Sequence, residues 1–223
     1  MRTDRRTALA GLAGGLALLA GGGCATAGTA PSPEFVRREG TRLLRGEAPY
    51  RIAGANMWYA AWLGADAAYG NRARLTRELD RLQALGLNNL RIMAAAEEGP
   101  LKNSIKPGFS RPDGSLNPEL LGGLDFALAE IGRRGMTAVV CLGNFWEWSG
   151  GLATLLFRVT GQYIDMGDPA HPWPAFADGT AAFYANDQAV DLYRAHVRAI
   201  VTRTNSLTGQ RYADDPVRVA AAH

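Results

Sequence analysis

Residues 75–93 read LTRELDRLQALGLNNLRIM, and the period changes once within them. Leu75, Leu79, Leu82 and Leu85 recur at helical spacing, with Arg74, Arg77, Asp80 and Arg81 on the other side. That pattern predicts an amphipathic helix with one dry stripe. Gly86 is placed to end it as a left-handed cap, and Leu90–Met93 follow as a short apolar strand. The same order recurs downstream: Leu121, Leu124, Leu128 and Ile131 form a second stripe, Gly135 stops it, and the strand Thr137–Leu142 follows. Upstream, Arg51–Ala55 is a short strand candidate. A third helix is expected over about Asp187–Thr204, with Val190, Tyr193, Val197 and Ile200 on one face, and a fourth strand should begin near Asp215-Pro216.

Short helix-to-strand links and long strand-to-helix segments have a physical meaning. Parallel strands require crossover helices, and functional residues collect at the strands' C-terminal ends. A doubly wound open sheet shares this rhythm, but its first strand usually leads into a glycine-rich phosphate turn. Here the first strand leads into Asn56-Met57-Trp58-Tyr59. The expected fold is therefore α/β, the N-terminal half of a (β/α)8 barrel: about three βα units and the start of a fourth.

The chain has 223 residues. Arg5-Arg6 precede a run from Ala8 to Ala20 of only Ala, Leu and Gly, which suits a signal h-region and is shorter than the ~20 residues needed to span a bilayer. The paired arginines point to the twin-arginine export route. Two processing readings stand side by side. Ala25-Thr26-Ala27 is a small-x-small site for release as a soluble protein. Gly22-Gly23-Cys24 resembles a bacterial lipobox, with Gly21 where a leucine is usual, and implies membrane anchorage through a lipidated Cys24. The expected organisation is an export signal over 1–27, a linker over 28–34 and a partial barrel domain over 35–223. The protein is expected outside the cytoplasm, as a secreted, periplasmic or cell-surface lipoprotein. Residues 28–223 fall short of the roughly 250 of a complete barrel.

Composition excludes other classes. Hydrophobics at 47% and charges at 20% are globular values and not those of a disordered chain. Two cysteines make no disulfide scaffold, and no Cys/His spacing suits zinc; no metal and no cofactor is expected. Lys102 and Lys106 are the only lysines, and arginine, spread along the whole chain, supplies the other basic residues. Nucleic-acid binding needs clustering on one face and is set aside. Cys141, inside the apolar run 137–142, reads as a buried free thiol with nothing nearby to lower its pKa.

The five tryptophans fall in two strand-to-helix segments: Trp58 and Trp62 after the first strand, and Trp146, Trp148 and Trp173 after the third. None lies on an expected helix or strand, so together they read as one rim suited to stacking sugar rings. Arg91 interrupts an otherwise apolar strand and must face outward or meet an anion. Asn144 joins the rim. Glu97 and Glu147 could supply the carboxylate pair of glycoside hydrolysis, but the commoner reading for both is a solvated loop carboxylate. His171 and His196 receive no chemical role; His196 suits a satisfied structural or surface position.

Three stretches carry a resemblance: Gly54-Ala55-Asn56-Met57-Trp58-Tyr59, Leu87-Asn88-Asn89-Leu90-Arg91-Ile92-Met93, and Asn144-Phe145-Trp146-Glu147-Trp148-Ser149-Gly150-Gly151. With residues 168–176 and 202–216 they resemble the endo-β-1,4-mannanases of glycoside hydrolase family 5, over about Phe35 to Pro216. The resemblance implies a (β/α)8 barrel that cleaves internal β-1,4-mannosidic bonds with retention and without metal or cofactor, its partner being β-mannan or a related polysaccharide. It gives Arg91 a supporting role beside a nucleophilic glutamate. It also gives Trp58 and Tyr59 the glycone side of the cleft, and Asn144 and Trp146 the rim after the third strand. Residues 152–159 depart from the expected Gln-Tyr and Trp.

The family places its acid/base glutamate in Asn-Glu-Pro after the fourth strand and its nucleophile after the seventh. Here Asp214-Asp215-Pro216 is followed by Val217–His223, which reads as a shifted frame or premature stop. Neither family glutamate is present. The leading expectation is thus a mannanase-like hydrolase by descent, inactive and aggregation-prone as this chain alone, unless a separately encoded second half completes it. The alternative is an exported, non-catalytic carbohydrate-binding protein using the tryptophan rim, and a third reading is another glycosidase specificity on the same scaffold.

Overall fold

The computed structural model describes residues 34–222; the export signal, Cys24 and all of the linker but Glu34 lie outside them. The first elements are the strands β1 (Val36–Glu39), β2 (Arg42–Arg45) and β3 (Ala48–Pro49), an antiparallel sheet in that order. Next come β4 (Gly54–Asn56), α1 (Ala60–Gly64) and α2 (Arg72–Ala84), then β5 (Asn89–Met93), α3 (Pro118–Arg133) and β6 (Thr137–Cys141). Helices α4 (Gly151–Thr160), α5 (Ala175–Ala181) and α6 (Asp187–Val201) lead to β7 (Arg218–Ala222).

Strands β4, β5, β6 and β7 pair in parallel, each beside its sequence neighbour. That unbroken order separates barrel winding from the doubly wound alternative, whose strand order reverses at a switch point. Side chains alternate across the sheet. Leu90 and Ile92 of β5 and Ala138 and Val140 of β6 are buried in one core with Leu75 and Leu79 of α2 and Leu124, Leu128 and Ile131 of α3. Asn56, Arg91 and Val139, in register with one another, therefore lie on the opposite, inner face.

The helices form where the leucine spacing places them, and their ends follow their caps. Asn71, Asn117 and Asn186 each accept a first-turn backbone N–H at the start of α2, α3 and α6, satisfying one of the donors a helix start leaves free. Gly86 and Gly135 adopt φ of +82° and +69° after α2 and α3, as the left-handed cap demands. Some boundaries differ from expectation. The first strand sits at 54–56, and α6 stops at Val201. Leu85 is the C-cap of α2 and 76% exposed, past the last turn that the stripe can bury. In α3 the fully buried position is Leu120, with Leu121 on the flank.

Two parts of the architecture have no counterpart in the periodicity. The antiparallel sheet lies at the N-terminal ends of the parallel strands: the Tyr50 hydroxyl shares a 2.7 Å bond with Thr137 Oγ1, and Arg45 Nη1 donates to Gly135 O at 2.7 Å. Residues 144–186 build most of a second small core, with Leu152, Leu155, Leu156, Ile164, Phe176 and Phe183, completed by Leu101 and by Ala189 of α6. Residues 152–159, where the family pattern fails, are helix α4 of that core.

Candidate functional site

The C-terminal ends of β4, β5 and β6 open onto one mouth. Arg91 and Asn56 stand side by side on the inner face, both exposed, with Arg91 Nη1 donating to Asn56 Oδ1 at 3.4 Å. A guanidinium carries five N–H donors in a fixed fork, so this face offers fixed positive charge and hydrogen-bond donors. The guanidinium also reaches Cys141. Burial raises the pKa of this free, buried thiol, and Arg91 opposes the rise. The expectation that nothing near Cys141 would lower its pKa is thereby corrected: register places Arg91 on the adjoining strand.

Past β6, Gly143, Asn144, Phe145 and Trp146 line a cavity of about 600 Å3 with Leu152, Phe183, Tyr184 and Tyr193. Gly143 is required by packing, since a Cβ there would lie 2.8 Å from the Tyr193 ring. Trp146 is 41% exposed and parallel to Phe176, with centroids 6.4 Å apart and planes 9° apart. Trp173, 60% exposed, lies 5.7 Å from Trp146 at 31°. Trp146 and Trp173 thus form an exposed aromatic pair backed by Phe176, which is fully buried, and exposed indoles suit a flat, weakly polar ligand.

The remaining aromatics have other partners. Trp58 packs edge-on against Tyr59, Trp62 and Trp148 at 5.4 to 5.7 Å. Trp62 is 7% exposed, lies in α1 and donates from Nε1 to Pro107 O at 2.8 Å. Trp148 sits in a 3-10 turn, Glu147–Ser149. The expectation of five tryptophans off regular structure is corrected accordingly, because α1 is too short to show a period. Tyr59 donates to Glu78 Oε2 of α2 at 2.9 Å, and Arg74 lies over its ring. Burial, then Glu78, raises its pKa. Asn144 and Trp146 line the cavity and Arg91 is exposed on the inner face, whereas Trp58 is half-buried among Tyr59, Trp62 and Trp148 and the Tyr59 hydroxyl is turned to α2.

Glu97 and Glu147 are both buried, which corrects the solvated reading. Glu97 follows the small residues Ala94, Ala95 and Ala96, which let it pack under α4; its Oε2 accepts from Gly151 N at 2.9 Å. Burial pushes this carboxyl up to about 7, against the Gly151 bond and the Arg158 charge. Glu147 Oε2 has no partner among the described residues. Asn144 Nδ2 donates to Ser149 Oγ at 2.9 Å. His196 is buried, with Nε2 bonded to Ala94 O at 2.8 Å, and burial lowers its pKa. Among the described residues no cluster of His, Cys, Asp and Glu could hold a metal ion.

A family model described as GH family 5 beta-mannosidase-like matches residues 33–221. Mannan endo-1,4-beta-mannosidase 1 of Arabidopsis thaliana is 32% identical over 183 residues, 82% of this chain and 39% of its own length. A glycoside hydrolase family 5 mannosidase from Rhizomucor miehei superposes with a TM-score of 0.77 at 33% identity, over 84% of this chain and 47% of that one. A point mutant of that mannosidase, solved with mannosyl-fructose, gives 0.77 at 34%, over 83% and 48%. The chain thus spans about two-fifths of this curated relative and about half of the solved ones. Its parallel sheet and helices are the N-terminal half of a (β/α)8 barrel, as the strand order required.

Proposed function

The chain belongs to the glycoside hydrolase family 5 β-mannosidase-like family, and from that premise we propose that its mouth is the sugar-binding wall of a β-1,4-mannan-acting hydrolase. The observation that carries the proposal is the exposed Trp146–Trp173 pair, with Trp146 and Asn144 lining a cavity of about 600 Å3. A pyranose offers C–H faces to indoles and hydroxyls to amide and guanidinium groups, and both kinds of partner are present here. Trp58 supports the mouth from beneath the Trp148 turn, and Tyr59 braces it through Glu78.

Retaining cleavage needs two carboxyl groups about 5–5.5 Å apart across the sugar. Of the two candidates after β5 and β6, Glu97 is engaged by the α4 N-terminus and Glu147 is buried, and neither lines the cavity. The 223-residue chain therefore binds mannan oligosaccharides and does not cleave them. Arg91 is exposed on the inner face, where it would hold a facing carboxylate ionised. Such a carboxylate would come from a second half of the barrel. The same burial of both glutamates favours the second reading, in which binding is the chain's own activity.

Calorimetric titration with mannotetraose tests the proposal. Trp146→Ala should weaken binding by about 1–2 kcal/mol; an unchanged affinity would remove the wall from the site. Export through the leader, with anchorage at Cys24 as the lipoprotein form, belongs to the same proposal. Mass spectrometry of the mature N-terminus checks it: a lipidated cysteine or a start after Ala27 agrees, and an intact Met1 does not.

A further inference from the structure

Residues 144–150 carry Trp146 and the rest of this side of the cavity, yet their regular structure is a single 3-10 turn. Their path is held from residue 97. Glu97 N donates to Ser149 O at 2.8 Å, and Glu97 Oε2 accepts from Gly151 N at 2.9 Å. The Glu97 carbonyl lies where a Cβ on Gly150 would be 1.9 Å away. One residue thus fixes three consecutive positions of the rim. Gly150 and Gly151 have φ of +80° and +62°, a path that side chains other than glycine's resist. Ser149 Oγ in turn accepts from Asn144 Nδ2 at 2.9 Å, and Leu152 N donates to Asn144 O at 3.1 Å.

The Glu97 carboxyl also does for α4 what its own N-cap cannot. Gly150 provides no side-chain cap, and the first N–H groups of a helix lack intrahelical partners. Glu97 satisfies one of them from 54 positions away. Glu97 is itself anchored. Glu98 N donates to Ser110 O at 2.8 Å, and Arg158 of α4 donates to Ser110 Oγ at 2.7 Å and Glu98 O at 2.9 Å.

We propose that Glu97 is a positioning residue for the sugar site: its buried carboxyl clamps the Ser149–Gly151 turn and through it sets the orientation of Asn144 and Trp146. The proposal rests on the reading of the mouth as sugar-binding. It also makes that mouth pH-sensitive. Facing Glu97 are the Arg158 cation of α4, His196 of α6, which shares a cavity of about 170 Å3 with both, and Tyr193 of α6. Neighbouring Glu98 is engaged by Gly108 N at 2.7 Å. Burial keeps the clamped carboxyl protonated up to about pH 7, whereas a released glutamate titrates near 4.3. Ionisation by itself strengthens the Gly151 bond, but the buried carboxyl binds more protons than one released to water, so raising the pH through 7 favours opening that carries Glu97 out of its pocket.

The test uses the full chain, as parent, Glu97→Gln and Glu97→Ala, at pH 5.5 and 8.5. Two quantities are read: hydrogen-exchange protection of the Gly151 amide, corrected for intrinsic exchange, and mannotetraose affinity. In the parent both should fall with pH, the protection severalfold or more. Glu97→Gln keeps an acceptor for Gly151 without a titrating proton and should show a flat profile. Glu97→Ala should lose protection and about tenfold in affinity at both pH values. Should Glu97→Ala fail to fold by circular dichroism, the Glu97→Gln profile decides. Equal Gly151 protection in parent and Glu97→Ala, or a Glu97→Gln profile that declines like the parent's, overturns the clamp. If protection behaves as stated but no variant binds sugar, the sugar-binding reading fails and the clamp on the turn stands.

Discussion

Asp125 links the middle of α3 to the chain that returns toward β7. It is fully buried and accepts from Arg203 Nε at 2.9 Å and Nη2 at 2.5 Å, from the Tyr212 hydroxyl at 2.6 Å and from Ser206 Oγ at 2.7 Å. Burial alone would raise its pKa, but these bonds hold it below the usual Asp value. The stabilisation is therefore present above the ordinary Asp range and lost as pH falls through the depressed folded value. Asp125→Asn should cost about 3 kcal/mol at pH 7, because Arg203 is left without its counter-charge; a urea-melt loss under about 1 kcal/mol would contradict this. Glu97 has the opposite sign. Its folded pKa of about 7 exceeds the unfolded one, so its contribution is full below about pH 4.3 and lost as pH rises through 7. Roughly 3 kcal/mol is at stake across that window. Glu97→Gln should remove that loss between pH 4.5 and 8.5, as measured by melts at both. Equal pH slopes in the parent and the variant would exclude Glu97 as its source.

Among the elements, the crossing of α1 and α3 depends on two glycines. A Cβ on Gly123 would lie 2.0 Å from Ala61 O, and one on Gly64 would lie 2.3 Å from Gly123 O. Gly122, next along α3, has open space around it. Gly123→Ala should therefore cost about 2 kcal/mol or more through overpacking, while Gly122→Ala should gain up to about 1 kcal/mol from helix propensity. Equal shifts in melting temperature would mean that the close approach does not exist in solution. The same scale shows what was legible in the residues. Helices α2 and α3 and strands β5 and β6 follow from spaced leucines and two cap glycines, and α6 follows from the spacing of Val190, Tyr193, Val197 and Ile200. The β1–β3 sheet has Gly40 and Gly46, at φ +58° and +59°, at its two turns but leaves no period, because Arg42-Leu43-Leu44-Arg45 shows no alternation. Helix α4 leaves none either, because residues 151–156 are buried all round and no polar face marks it. Arg91, Asn144 and Trp146 could be placed at strand ends from order alone. The burial of Glu97 and Glu147 could not, since it depends on α4 folding back over residues far away in the chain.

For the whole molecule, the order β4-β5-β6-β7 leaves the outer edges of β4 and β7 without a strand partner among the described residues. Unpaired edges beside an open inner face template further pairing. The 223-residue chain should therefore self-associate with rising concentration in sedimentation velocity runs; a single monomeric boundary throughout would show that the edges are shielded. On the proposed function, this half of the barrel binds sugar without cleaving it. Two assays on one folded preparation test that: calorimetric titration with mannotetraose and reducing-sugar release from galactomannan. Saturable binding that Trp146→Ala weakens, with no release, is expected. Hydrolysis by the purified chain, or a folded chain with no affinity for mannotetraose, would contradict it.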